Sequence, residues 1–145
     1  MPLYTIMTQT GVLGSEAKAV LAAELTALHS EYAEVPRNWI HIVFQDYAPG
    51  SGFTAGRPAR PVALTLVIRN GRSAEYKRRL LARLWELLQS ATEAPDDQIV
   101  IGIQELSASQ AMEMARVMPD VQGLRDNSPS AAMTSTSTQR GKGLP

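Results

Sequence analysis

The chain has 145 residues and carries equal numbers of basic and acidic side chains, 14 of each, so its formal net charge is zero. That length predicts one domain with a sizeable core, and the balanced charge argues against nucleic acid as a partner. Cysteine is missing, which excludes disulfides and thiolate chemistry. No apolar run reaches the roughly 20 residues of a membrane span, and no basic-then-apolar leader opens the chain. We therefore expect a soluble, cytoplasmic protein without a membrane partner.

The first predicted strand, residues 3–8, follows directly after a proline. If Met1 is removed, as is usual before a small residue, Pro2 becomes a free secondary amine at the start of a sheet. An ordinary α-amino group titrates near pH ~8, and an apolar pocket or nearby cations would bring its pKa toward neutrality. Pro2 is therefore a candidate catalytic base or nucleophile.

An amphipathic helix is predicted next, from Ala17 to about Tyr32, with Ser15 as its N-cap. Pro36 ends this helical segment, because proline cannot continue a helix. Residues 39–47 then form an alternating pattern, which is typical of a half-buried strand. One side of this strand would carry Ile40, Ile42 and Phe44, and the other His41, Val43 and Gln45.

The second half of the chain repeats this order of segments. We predict a loop rich in glycine and proline, a strand, a helix and a strand, at residues 48–61, 62–69, about 74–90 and 98–105. Ser73 is the predicted N-cap of the second helix, and Ser107 would cap a short third helix, Ala108 to Val117. Residues 120–145 are rich in Ser, Thr, Gly and Asn and are predicted to form a mobile or subunit-wrapping tail.

The order strand, helix, strand thus occurs twice, at about residues 2–47 and 62–105. Each unit should form a right-handed crossover between two parallel strands. Two such units side by side give an α+β domain, residues 2–119, in which a four-stranded sheet carries both helices on one face. The opposite, apolar face would stay uncovered, so we expect several subunits to associate through it.

A β-α-β unit that begins at Pro2 and is duplicated in one chain resembles the tautomerase superfamily, and more closely its cis-3-chloroacrylic acid dehalogenase group. The resemblance rests on five short motifs: Met1-Pro2-x-Tyr4, Leu28-His29, Phe44-Gln45-Asp46, Arg69-x-Gly71-Arg72-Ser73-Ala74, and Met112-Glu113-Met114-Ala115-Arg116 followed by Pro119. It implies a tautomerase/MIF-like fold, a homotrimer and catalysis without a cofactor.

The resemblance also implies roles for individual residues. Pro2 and Glu113 would be catalytic, and Glu113 would activate water. Arg69 and Arg72 would bind the substrate carboxylate through charge-assisted hydrogen bonds, assisted by His29. Without the resemblance, the two arginines are equally well explained as exposed turn residues, and Glu113 as a surface residue paired within its own helix.

Two further positions affect the choice of function. His41 matches no position of the family pattern and is interpreted as structural, and the spacing of the two histidines predicts no metal site. In the dehalogenases a tyrosine on the fourth strand acts together with the glutamate on water. Gly102 occupies that position here and supplies no hydroxyl.

The glycine favours a reaction that needs no activated water. Tautomerisation requires a base and cations that hold the carboxylate and the developing enolate. We therefore expect an isomerase, a tautomerase in which neutral Pro2 moves a proton between the enol oxygen and carbon. Its substrate would be a small unsaturated carboxylate of the enolpyruvate or 2-hydroxydienoate type.

Two alternatives stay open. A dehalogenase or hydratase of 3-haloacrylate-like acids would need protonated Pro2 together with Glu113, and a related β-keto acid decarboxylase would use the same cationic pocket. Such a lyase activity is also compatible with a promiscuous side reaction of the tautomerase. A non-enzymatic protein on the same scaffold would be favoured if Met1 were retained, because Pro2 would then be an amide.

Overall fold

A computed structural model describes residues 1–121 of the chain. In chain order its helices and strands are β1 (Leu3–Gln9), α1 (Ser15–Ala33), β2 (His41–Tyr47), β3 (Phe53–Thr54), β4 (Arg57–Pro58), β5 (Val62–Arg69), α2 (Ala74–Thr92), β6 (Ile99–Leu106), β7 (Met112–Glu113) and β8 (Arg116–Val117). The tail predicted at residues 120–145 lies outside the described residues from position 122 onward.

Four of the strands form one sheet in the order β2-β1-β5-β6. Within each predicted unit the two strands are parallel, so Leu3 lies opposite His41 and Val62 lies opposite Ile99. The two units meet through β1 and β5, which run antiparallel. The predicted α+β architecture of two β-α-β units in one four-stranded sheet is confirmed.

The core lies between this sheet and the two helices. The sheet contributes alternate residues of its central strands, and the helices contribute leucines spaced four apart, as a strand period of two and a helix period of 3.6 require. The largest of these buried side chains are Tyr4, Ile6, Leu64, Leu66, Leu21, Leu25, Leu80, Leu84 and Leu88. Each buried leucine stabilises the fold by roughly 1.5–3 kcal/mol. This packing fixes the start of β1 relative to the ends of both helices, where the candidate site forms.

The two helices begin in different ways. Ser73 caps α2 as predicted, because its hydroxyl accepts a hydrogen bond from the backbone N–H of Tyr76 at 3.0 Å. The prediction that Ser15 caps α1 was wrong. Gly14 is the N-cap, since its carbonyl already accepts from the backbone N–H of Lys18 at 2.9 Å and the helix starts one residue earlier.

The predicted third helix over residues 108–117 was also wrong. A short 3-10 turn, Ala108–Gln110, is followed by the two-stranded hairpin of β7 and β8. Met114 and Ala115 at its tip have φ angles of 52° and 59°, the left-handed region that a two-residue hairpin turn requires and a right-handed helix excludes. The segment folds back until the N–H of Met118 reaches the carbonyl of Ala111 at 2.8 Å.

The glycine- and proline-rich segment of residues 48–61 holds a smaller hairpin, β3 and β4, within the predicted loop. Its tip again uses positive φ, at Ala55 and Gly56. Neither helix among residues 1–121 is long and apolar enough to cross a membrane.

The face of the sheet that points away from the helices is partly apolar and exposed. Its exposed side chains include Leu3, Met7, Val43 and Val100. We call this surface the open sheet face. In a single chain it has the uncovered apolar character that the repeat of two β-α-β units predicts.

Candidate active site

Pro2 is buried immediately before β1. Its carbonyl accepts a hydrogen bond from the backbone N–H of His41 at 3.0 Å, which extends the parallel pairing of β1 and β2 by one residue. The amino group of Met1 forms an ion pair with Oε2 of Glu113. The hairpin that replaces the predicted third helix therefore brings Glu113 to the amino terminus across 112 positions of sequence.

Glu113 lies on β7 with a side chain only 15% exposed. Burial by itself would raise the pKa of Glu113, but hydrogen bonds from the amino terminus and from His41 outweigh burial and lower it. The group is therefore a carboxylate at neutral pH, held close to the amino terminus. Such a carboxylate can pair with an ammonium or take a proton from water.

His41 is the residue that sequence reasoning missed. Its side chain is 57% exposed at the start of β2, and its Nε2 lies 3.0 Å from Oε1 of Glu113. His41 was interpreted from the sequence as structural, and this contact was not predicted. Alternation along the strand places His41 opposite the core residues, but a contact across 72 positions leaves no signal in the local pattern.

His29 lies near the end of α1, only 2% exposed, with Nδ1 2.6 Å from the hydroxyl of Tyr4. Burial, the positive charge of Arg72 and the amino terminus lower the pKa of His29 to about 4, and burial raises the pKa of Tyr4 above its ordinary value. Both groups are neutral at pH 7. Within residues 1–121 Nδ1 is the only hydrogen-bond partner of the Tyr4 hydroxyl, and the buried O–H would have no acceptor if it did not donate to Nδ1; we therefore assign Tyr4 as the donor and the ring proton to Nε2. His29 is thus a neutral donor.

Arg69 ends β5 and Arg72 lies in the short connection to α2. Nη1 of Arg69 donates to the carbonyl of Pro119 at 2.6 Å, and the guanidinium of Arg72 lies 5.0 Å from the ring centre of Tyr76. Burial and the neighbouring Arg72 lower the pKa of Arg69, yet a guanidinium titrates so far above neutrality that Arg69 stays positive. Two fixed cations therefore face the same region, which suits a carboxylate.

A cavity of about 20 Å³ connects these groups. Met1, His29, Arg69 and Arg72 all line it, and its remaining walls are Ala33, Val35, Ile68, Tyr76 and Val121. A larger open groove of about 280 Å³ adjoins it and shares Arg72 and Tyr76. Pro2 and Glu113 both contact Met1, by a peptide bond and an ion pair, so all five residues predicted from the resemblance meet around the first residue of the chain.

Gly102 lies on β6, which β5 separates from β1. Apart from Gly102 itself and its two chain neighbours, no heavy atom of the described residues comes within 4 Å of the position that a Cβ at Gly102 would take. No group in the described part of this chain fills the place of the missing tyrosine there. The side chain that does bind Glu113 is His41. It comes from β2, which pairs with the edge of β1 that faces away from β5 and β6.

Known proteins share the fold of this chain and part of its sequence. Residues 1–128 match the protein family described as "Putative oxalocrotonate tautomerase enzyme". The solved structure of native Ps01740 is 31% identical and superposes with a TM-score of 0.74 over 77% of this chain and 99% of that chain. N1, a member of the cis-3-chloroacrylic acid dehalogenase family, is 28% identical, with a TM-score of 0.77 over 83% of this chain and 85% of that chain.

A more distant structure shares the fold alone. It is a fused 4-OT symmetric trimer, 16% identical, with a TM-score of 0.73 over 80% of this chain and 94% of that chain. Among curated proteins, no sequence matched.

Proposed function

This chain belongs to that tautomerase family, within its cis-3-chloroacrylic acid dehalogenase-like group, and from this premise we propose that it is a tautomerase whose base is the amine of Pro2. Removal of Met1 would free that amine. The reaction is keto-enol tautomerisation of a small unsaturated carboxylate of the enolpyruvate or 2-hydroxydienoate type. No cofactor takes part.

The observation that carries this proposal is the set of groups around Met1. Only the Cα and the carbonyl carbon of Met1 separate its amino group from the Pro2 nitrogen. Loss of Met1 would therefore leave an empty space beside that nitrogen, bordered by the cavity of His29, Arg69 and Arg72. Such a space would be bordered by a base and by a cavity that two cations line, the combination that proton transfer next to a carboxylate requires.

Each residue then has a distinct task. Arg69 and Arg72 bind the substrate carboxylate and stabilise the enolate charge. The Nε2–H of His29 donates to the enol or carbonyl oxygen. Neutral Pro2 takes the hydroxyl proton and returns a proton to the carbon, so the reaction consumes no other reactant.

The test uses protein whose mass confirms the loss of Met1. Ketonisation of phenylenolpyruvate is followed by its ultraviolet absorbance in wild type, Pro2→Ala and Glu113→Gln. We expect kcat/KM to fall by about 100-fold in Pro2→Ala, because a positioned base contributes at least that much, and to change little in Glu113→Gln. Full activity in Pro2→Ala, or in protein that retains Met1, would contradict the proposal.

Addition of water is the second candidate, favoured by the ion pair between Glu113 and the amino terminus. Here Glu113 takes a proton from water as the oxygen bonds to C3 of a 3-haloacrylate or propiolate, and protonated Pro2 gives its proton to C2. The halohydrin formed from a 3-haloacrylate then expels halide and a proton to leave an aldehyde. A β-keto acid decarboxylase would use the same two cations to hold its substrate.

The charge of Pro2 separates these candidates. In an NMR titration of 15N-labelled Pro2, a pKa near or below neutrality supports the tautomerase, whereas a pKa well above neutrality supports water addition. In the second case Glu113→Gln would abolish turnover of 3-haloacrylate. Retention of Met1 in the purified protein would instead favour a non-enzymatic role on this scaffold.

A homotrimer is also part of the proposal. The exposed apolar side chains of the open sheet face support association of copies of the chain, and the fused 4-OT relative of the same fold is a trimer. Most soluble homo-oligomers have closed point-group symmetry, as a trimer does.

A further inference from the structure

We infer that His41 is a positioning residue for Glu113 that sets how well this site adds water, an inference that rests on the proposed catalytic role of the Pro2 amine. The two oxygens of Glu113 are held from different directions. Oε2 contacts the amino group of Met1, which the active protein would lose, and Oε1 lies 3.0 Å from Nε2 of His41. The contact with His41 does not depend on Met1, so after the loss of Met1 it would still restrict the rotation of the carboxylate and keep the direction of the oxygen that faces the reacting atoms.

His41 is suited to this task because its backbone and its side chain act on two different groups. Its N–H donates to the carbonyl of Pro2 at 3.0 Å, while its imidazole binds Glu113. One residue therefore joins the proposed base to the carboxylate. Among residues 1–121, His41 is also the only side chain that forms a hydrogen bond with Glu113.

The backbone pairing of the hairpin that carries Glu113 is slight, which makes the imidazole contact more important. The hairpin that carries Glu113 pairs only two residues on each strand, Met112 with Val117 and Glu113 with Arg116. Such a short hairpin is marginal without tertiary contacts. The titratable and charged groups around the carboxylate are the amino terminus at the head of β1, His41 from β2 and Arg69 from β5.

Removal of the imidazole has two expected effects. Glu113 loses the donor that fixes Oε1, so water is activated in a less favourable geometry. The carboxylate also becomes more basic and pairs more strongly with the neighbouring amine, so the pKa of Pro2 rises. Tautomerisation, which needs no activated water, is expected to change far less.

The experiment compares His41→Ala with His41→Gln, whose amide retains an N–H donor, and with the control Gln45→Ala on the same strand and the same outward face. Hydration of propiolate, ketonisation of phenylenolpyruvate and the 15N titration of Pro2 are measured for each. We expect His41→Ala to lower kcat for hydration about tenfold with KM within twofold, and to raise the pKa of Pro2. His41→Gln should recover most of the hydration, and Gln45→Ala should match wild type.

Unchanged hydration together with an unchanged pKa of Pro2 in His41→Ala would overturn the inference. If wild type hydrates propiolate too slowly to measure, the titration alone decides it, and no rise of the pKa in His41→Ala overturns it. Failure of the proposed function is recognised separately, because it would appear as full ketonisation activity in Pro2→Ala whatever the behaviour of His41→Ala.

Discussion

Tyr4 determines which nitrogen of His29 carries the proton. The hydroxyl of Tyr4 is buried and donates to Nδ1, so Nε2–H is left as a donor. In Tyr4→Phe the two neutral tautomers of His29 are expected to approach equal populations. The buried Nδ1 also loses its partner, at a cost of about 1–3 kcal/mol in the free energy of unfolding. Imidazole 15N shifts report the tautomers directly, and an unchanged Nε2–H tautomer in the variant would show that Tyr4 does not select it.

His29 also makes stability depend on pH. Its pKa is lowered from 6.5 to about 4 by burial first and then by Arg72 and the amino terminus. Between these pH values the unfolded chain binds a proton that the folded chain does not, so stability falls as pH decreases through this window. The full effect is roughly 3 kcal/mol, since one pKa unit corresponds to about 1.4 kcal/mol.

We therefore expect wild type to lose roughly 3 kcal/mol more than His29→Gln when the pH is lowered from 7 to 4. Urea unfolding at a fixed protein concentration measures this difference, and the carboxylates common to both proteins cancel. Equal losses in the two proteins would mean that His29 titrates normally in the folded state.

The candidate site was predictable at the level of single residues only in part. The five residues taken from motifs, Pro2, His29, Arg69, Arg72 and Glu113, do meet around the amino terminus. Their motifs are local in sequence, which is why a resemblance could identify them. The contribution of His41 depends on a hairpin placing Glu113 beside the start of β2, and no local pattern encodes that contact.

At the scale of elements, the segments with a strong hydrophobic pattern were predicted correctly, whereas the structure of the short segment near residue 110 was not. Residues 62–69 formed the strand predicted there, because a short apolar run that is rich in branched side chains and flanked by Pro61 and Gly71 favours a buried strand. Residues 108–117 have alanine and methionine spacings that suit a helix as well as a turn. The tertiary contacts of Ala108, Ala111 and Met118, which form a small cluster with Met1, decide the outcome.

The hairpin of β7 and β8 contains a residue in an unfavourable backbone conformation. Ala115 has a φ of 59°, which costs an L-residue with a Cβ roughly 1 kcal/mol and glycine almost nothing. We expect Ala115→Gly to raise the free energy of unfolding by about 0.5–1 kcal/mol. The matched control is Ala55→Gly at the tip of β3 and β4, where φ is 52°.

Both glycine variants should stabilise the protein to a similar extent in urea unfolding, because both relieve the same conformation. Ala115 lies two residues from Glu113, so only its variant is expected to alter the kinetics of water addition. A loss of stability in both variants would mean that the added freedom of glycine in the unfolded chain outweighs the relief.

At the scale of the molecule, duplication of a β-α-β unit covers one face of the sheet with helices and leaves the other face exposed in a single chain, where we propose that other copies cover it. Val100 on the open sheet face is 66% exposed in the single chain, and Val20 on the solvent side of α1 is 53% exposed. The two valines thus look alike in one chain and should differ in an assembly. A lysine buried between subunits without a partner is costly, whereas one on a solvated helix face is tolerated.

We expect Val100→Lys to lower the mass measured by light scattering toward the 15.8 kDa of one chain, while Val20→Lys keeps the mass of wild type. Circular dichroism should show that both variants retain their helices, since neither side chain belongs to the core. If the two variants keep the same mass as wild type, the part of the open sheet face around Val100 is not the contact between subunits. Dissociation by Val20→Lys instead would place that contact on the helical layer, and the apolar strand residues would then need another explanation.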